Sequence, residues 1–266
     1  MSADTGSPVA YDVTDGVATI TLNRPEAMNS LVTAAKVALR DAVHTAAADP
    51  QARAVVLTGS GRAFCVGQDL KEHVEKLRGP QAELWRTVPE HFAPIATALA
   101  SMPKPVVAAV NGVAAGAGFS FALACDLRIV AESAGFNTAF AAIGLSCDTG
   151  ASWTLPRIVG QTRAMQLLML PRTVKAREAL ELGIATEVVP DDELAERVRT
   201  LAAALAAGPT LAYASIKRAL AFSATHGLAE SMEYEATKMA LTGATEDHAE
   251  AVQAFLDKRP PQFVGR

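Results

Sequence analysis

The chain is short of cysteine, aromatic residues and charge, and each shortage excludes something. Three cysteines in 266 residues, Cys65, Cys125 and Cys147, lie far apart with no CxxC spacing, so neither a disulfide framework nor a zinc site is expected. The five histidines stand singly, which leaves no cluster to hold a metal. Charged residues are 20% of the chain against 50% hydrophobic, which fits a compact globular protein and excludes a disordered one. The net charge is −4 and no basic cluster occurs, so nucleic acid is not an expected partner. No long unbroken apolar run is present. The most apolar stretch, 104–125, is interrupted by Asn111 and several glycines and reads as a buried core element, not a membrane span. The first residues, MSADTGSPVA, have neither a positive start nor an apolar run of signal-peptide length. The expectation is a soluble, cytoplasmic protein without membrane association.

What is present is organised around Lys104–Val130, KPVVAAVNGVAAGAGFSFALACDLRIV. Val106–Val110 reads as a buried strand ending at Asn111-Gly112. Small residues from Ala114 to Gly118 then lead into an apolar helix, Phe119–Ala124, and a second strand near Leu127–Val130. A strand, a glycine-rich turn and a helix N-terminus leave backbone N–H groups unpaired where a ligand oxygen can approach, and small side chains permit that approach. Most glycine-rich turns merely let a helix pack closely, and taken alone these residues favour that reading.

Around this segment the pattern is mixed. Val9–Val13 and Val17–Leu22 alternate about Asp15-Gly16, a hairpin signal. A helix with Val32, Lys36, Leu39 and Val43 along it follows to about Ala48, with Ser30 as its expected cap. Ala54–Thr58 is a short buried strand, Ala63–Leu70 (AFCVGQDL) an apolar turn, and 81–101 a helix that Pro89 and Pro94 should kink. Helices are expected over 150–170 and 175–182, with Asp148 capping the first, and Glu187–Val189 as the last strand. From Asp191 the chain reads as amphipathic helices only. This predicts an α/β core over 1–190 and a helical region over 191–266, with Gly208-Pro209 as a second candidate boundary.

Four segments in order, VATITLNRPEAMNSL, GRAFCVGQDL, KPVVAAVNGVAAGAGFSFALACDLRIV and FLDKRPPQF, together resemble the crotonase (enoyl-CoA hydratase/isomerase) superfamily. The resemblance implies a spiral of ββα turns followed by helices that build homotrimers or hexamers. It also implies an acyl-CoA thioester as substrate, with no cofactor bound permanently beyond the coenzyme A of that substrate. Carried across motif by motif, it implies an oxyanion hole made by the backbone N–H groups of Val66 and Ala117. Removing a proton beside a thioester puts charge on its oxygen, and one prearranged donor contributes roughly 3–4 kcal/mol to stabilising it. Arg24, Met28, Ala63, Phe64, Gly67 and Gly116 are the implied CoA- and thioester-binding positions. Lys258 and Phe263 are implied to reach a neighbouring subunit's CoA.

The chain departs from the hydratase pattern at two positions. Where typical hydratases carry glutamates, alignment on the glycines places Ser120 and Phe140. Neither can serve as a general acid or base near neutral pH. The remaining candidate is Asp148, in GLSCDTGASW, where isomerase-type members carry an aspartate. One carboxylate suffices to move a proton from C2 to C4 of an enoyl thioester, and an apolar wall of Phe119, Phe140 and Trp153 would raise its pKa. Three activities follow. The first is double-bond isomerisation by Asp148, the second hydration by a non-standard acid/base set, and the third acyl-CoA binding without chemistry.

Overall fold

The computed structural model describes residues 6–80 and 84–266. The expected helix over 81–101 therefore falls partly outside the described residues. Strands β1 (Val9–Thr14) and β2 (Val17–Leu22) form the antiparallel hairpin read from Asp15-Gly16, in register from Val9↔Leu22 to Thr14↔Val17. Parallel strands β3 (Ala54–Gly59), β5 (Val106–Val110), β7 (Leu127–Ala131) and β10 (Glu187–Val189) extend it into a six-stranded sheet ordered β1-β2-β3-β5-β7-β10. Their nearly continuous apolar runs, such as the wholly buried Val106–Val110, are what a parallel sheet covered on both faces requires.

A second sheet, ordered β4-β6-β8-β9, joins Ala63–Cys65, Val113–Ala115, Gly135–Asn137 and Val174–Lys175. Each of β3, β5 and β7 passes directly into a short strand of this second sheet. That makes the spiral of ββα turns. The small-residue stretch after Asn111 is thus partly a strand, β6, and not only a turn. Because β4 and β6 are hydrogen-bonded neighbours, the loops leaving their C-terminal ends emerge side by side.

Helices α1 (Thr33–Ala48), α2 (Leu70–Lys76), α3 (Ala93–Ser101) and α4 (Ala117–Ala124) pack beside these strands. Pro89 sits in a π-helical turn, Val88–Phe92, that leads into α3, so the proline widens the helix locally. Phe119 meets Phe136 edge-on at 6.0 Å and Phe92 meets Phe121 at 6.2 Å. Each such buried ring contributes about 1.5–3 kcal/mol over exposure. Helices α5 (Ala151–Val159), α6 (Gln161–Met169) and α7 (Ala176–Glu181) complete the spiral.

The C-terminal region is helical, as expected: α8 (Leu194–Ala206), α9 (Thr210–Ser223), α10 (Leu228–Gly243) and α11 (Glu246–Leu256). α8 buries Leu194, Val198 and Ala202 in the same core as the sheet. Two expected caps are corrected. Ser30 does not cap α1, because its hydroxyl donates to Asp69 Oδ2 at 2.7 Å. Asp148 does not cap α5, whose N-cap is Gly150 in the left-handed region at φ 81°. No helix among the described residues is long and apolar enough to cross a membrane.

Candidate active site

Two loops and one carboxylate are the candidate elements of a site. The first loop follows β4. Leu31 N–H donates to Gly67 O at 2.8 Å, and Asp69 N–H donates to Leu31 O at 3.2 Å. Successive backbone groups of an extended segment point to opposite sides, so the Gln68 N–H between them points away from Leu31. No acceptor meets it among the described residues. The Val66 N–H, the expected donor, instead faces Met28 O at 3.3 Å. Asp69 fixes the far end of the loop by accepting from Lys71 and Glu72 N–H at the start of α2, which makes it the N-cap of that helix. Ser30 and Arg24 hold the other Asp69 oxygen, and their hydrogen bonds keep its pKa below the ordinary value against the opposing effect of burial.

The second loop follows β6. Gly116 has φ 53°, its N–H donates to Asn137 O at 3.0 Å, and α4 begins at Ala117. As the first residue of a helix, Ala117 has an N–H with no intrahelical partner, pointing where the helix dipole is positive. None of the described residues accepts from it. The loops touch at Gly67, where φ is 82° and an added Cβ would stand 2.9 Å from Ala115 O and 3.2 Å from Ala117 N. Only glycine allows both the turn and that approach.

Asp148 is half-buried in the segment before α5. Its Oδ1 accepts from Thr149 Oγ1 at 2.7 Å. Burial pushes the carboxyl above its ordinary pKa, partly offset by the Thr149 bond and by the Lys36 ammonium. Thr149 itself is buried at φ 55°, a strained backbone state for a β-branched residue.

The other expected positions divide. Ser120 is fully buried, with its hydroxyl donating to Gly116 O at 3.2 Å, so it serves α4 itself. The side chains of Ala63 and Phe64 are buried in the interior. Arg24 directs its guanidinium at Asp69 and the Ser30 carbonyl. Met28 lies at φ 51° as the C-cap of a 3-10 turn, and Phe140 is buried at the start of another. Trp153 departs from the expected wall beside Asp148. It is 46% exposed, stacks under Arg157 at 4.1 Å, and lines a groove with Ala96, Ala124, Thr149 and Lys217. Phe119 packs on Phe136 in the core. Phe263 O accepts from Arg53, and Lys258 lies exposed at φ 55° just beyond α11, so the C-terminal segment folds back on this chain's own surface. No cluster of three metal-ligating side chains exists among the described residues.

Two residues escaped the sequence. What stands out at Gln68 is a backbone N–H, so its side chain carries no signal. Lys36 did carry one: a lysine in the inward stripe of α1 breaks the apolar period, and its side chain is 1% exposed.

Comparison with known proteins identifies the family. The sequence profile described as "Enoyl-CoA hydratase/isomerase" matches residues 12–266. A Rhodobacter capsulatus protein named "Probable enoyl-CoA hydratase" is 44% identical over 258 residues, covering 97% of this chain and 98% of its own. The 1,2-epoxyphenylacetyl-CoA isomerase of Escherichia coli is 42% identical over 254 residues, covering 96% and 97%. A crystal structure of an enoyl-CoA hydratase from Bacillus anthracis superposes with a TM-score of 0.92 at 32% identity, covering 97% of this chain and 100% of that one. The chain belongs to the enoyl-CoA hydratase/isomerase family of acyl-CoA enzymes.

Proposed function

We propose that the protein shifts the double bond of an enoyl-CoA between the 3,4 and 2,3 positions, with Asp148 as the single acid/base. The thioester oxygen binds between the Gln68 and Ala117 N–H groups. Asp148 takes a proton from C2, the two donors stabilise the dienolate, and the same carboxyl returns the proton to C4. Substrate and product have the same composition, so no water or second carboxyl is required. The observation that carries this reading is the state of Asp148. It caps no helix, it is half-buried, and burial raises its pKa above the ordinary carboxylate value.

Gln68 replaces Val66 in the donor pair because the Val66 N–H faces Met28 O while the Gln68 N–H has no acceptor among the described residues. Hydration is the second reading, favoured by the names of several relatives. It needs a group to activate water, and the two positions where a hydratase would carry glutamates hold Ser120, bonded to its own helix, and the buried Phe140. The purified protein incubated with 3-enoyl-CoA and with 2-enoyl-CoA, beside Asp148→Asn, separates the readings. Interconversion that disappears in the variant supports isomerisation. Water addition that the variant leaves intact rejects Asp148 as the base, and binding without turnover leaves only the binding protein.

The helices after Gly208-Pro209 serve assembly in this proposal, so the functional boundary falls there and not at 191. α9, α10 and α11 expose Ile216, Leu220, Met232, Met239 and Phe255, an apolar face suited to copies of the same chain in a trimer or a pair of trimers. Lys258 would then reach a neighbour's CoA.

A further inference from the structure

Lys36 stands one turn into α1, with its side chain turned inward. An ammonium carries three donors, and a buried charge is tolerated only when paired and hydrogen-bonded. Among the described residues one acceptor reaches it, Thr87 Oγ1 at 2.9 Å, and the Phe92 ring lies 5.2 Å away. Two donors have no acceptor among those residues.

The charged groups packed around it are matched elsewhere. From α2, Glu72 pairs with Lys76 at 2.7 Å and accepts from Thr33, and Asp69 is held by Arg24 and Ser30. From the turn before α3, His91 approaches Thr87 Oγ1 at 3.4 Å and is held below its ordinary pKa, first by burial and then by Lys36. Arg40 of α1 pairs with Asp41. Asp148 lies within electrostatic reach but forms no ion pair with Lys36 among the described residues. Burial pushes Lys36 down to about 8, which leaves it mostly protonated at neutral pH and therefore still a donor.

Its neighbours along the chain and in space lead to the two loops. Leu31, just before α1, bonds the backbone on both sides of Gln68. Phe92 packs edge-on against Phe121 of α4, the helix that begins at Ala117.

We propose that Lys36 is a specificity-determining residue that receives a hydrogen-bond-accepting oxygen carried by the acyl group, so that the enzyme prefers oxygen-bearing enoyl-CoA thioesters to plain hydrocarbon ones. The inference rests on the reading of Gln68, Ala117 and Asp148 as the reacting centre. A site with a buried donor discriminates against an analogue that lacks the acceptor, because the donor is then left unpaired. A purely structural lysine, tying Thr87 and Phe92 to α1, would affect stability and leave selectivity unchanged.

The test compares kcat/KM on three enoyl-CoAs of equal chain length that end in a methyl group, a methyl ether or a carboxylate. The wild type is expected to favour an oxygen-bearing substrate over the methyl-ended one by roughly tenfold or more. The ether and carboxylate arms distinguish a neutral acceptor from an anionic one. Lys36→Met should abolish the preference, bringing the kcat/KM ratio between the oxygen-bearing and methyl-ended substrates to about one. Lys36→Gln, which keeps a donor without the charge, should lose a carboxylate preference but retain an ether preference, and it serves if the methionine variant does not fold. A wild type without preference, or folded variants with an unchanged ratio, overturns the proposal. Full turnover by Asp148→Asn would instead overturn the acid/base assignment, and the selectivity ratio could still be read.

Discussion

At Asp148, catalysis and stability oppose each other. Burial favours the neutral carboxyl, whereas lifting a proton from C2 requires the ionised one. The rate should therefore fall as pH drops through a pKa above the ordinary carboxylate value of 3.8. Asp148→Asn should lower kcat by roughly a hundred- to ten-thousand-fold with little change in KM, as measured by steady-state kinetics. The linkage has a definite sign. A carboxyl whose folded pKa is raised contributes stability below its unfolded pKa and loses that contribution as pH rises through the folded one. At neutral pH the charged Asp148 is therefore a cost. Asp148→Asn should melt at a higher temperature than wild type there, with the difference shrinking toward pH 3.8. Thermal scans across that window check it, and a variant that melts lower at pH 7 would contradict the burial argument. Asp148 was singled out in the sequence by its match to the aspartate that isomerase-type members carry. Its competing role as a helix cap was resolved only by the backbone, which gives the cap to Gly150.

At the scale of elements, the site depends on β4 and β6 being neighbours, since that brings the Gln68 and Ala117 loops together. The role proposed for Gln68 is a backbone one. Gln68→Ala should therefore keep activity within a few-fold. Gly67→Ala places a side chain at φ 82° and 2.9 Å from the Ala115 carbonyl, so it should lose most activity while folding is retained. Circular dichroism with an activity assay separates the two outcomes. Gly118→Ala differs in kind, because its Cβ would stand 2.1 Å from Cys65 O and should disturb the fold itself. The strands and most helices were legible, since hairpin turns, apolar runs and proline stops are local signals. The direction of a single N–H was not. It depends on Leu31 pairing with the segment around Gln68, a contact between distant stretches of chain that no local pattern encodes.

Over the whole molecule, composition pointed to a compact globular protein, the mixed strand and helix signals to an α/β core, and the change at Asp191 to helices alone was plain. That change did not mark a change of core, because α8 completes the core of the sheet. Amphipathic periodicity identifies an apolar face without saying whether the same chain or another copy covers it. On α9 Leu220 is 68% exposed, and on α11 Phe255 is 82% exposed. In the trimer proposed above, Leu220→Lys should shift the sedimenting species from about three chains toward one, and a wild type that sediments as one chain would contradict the proposed assembly.

The transfer of label from C2 to C4 bears most directly on a single carboxyl that lifts and returns one proton. 3-Enoyl-CoA deuterated at C2 would be converted in ordinary water, and the earliest 2-enoyl-CoA product read by NMR. Deuterium retained at C4, with turnover that collapses in Asp148→Asn, is the predicted result. Product free of deuterium at C4 from the first turnovers, formed as fast by Asp148→Asn as by wild type, would contradict it.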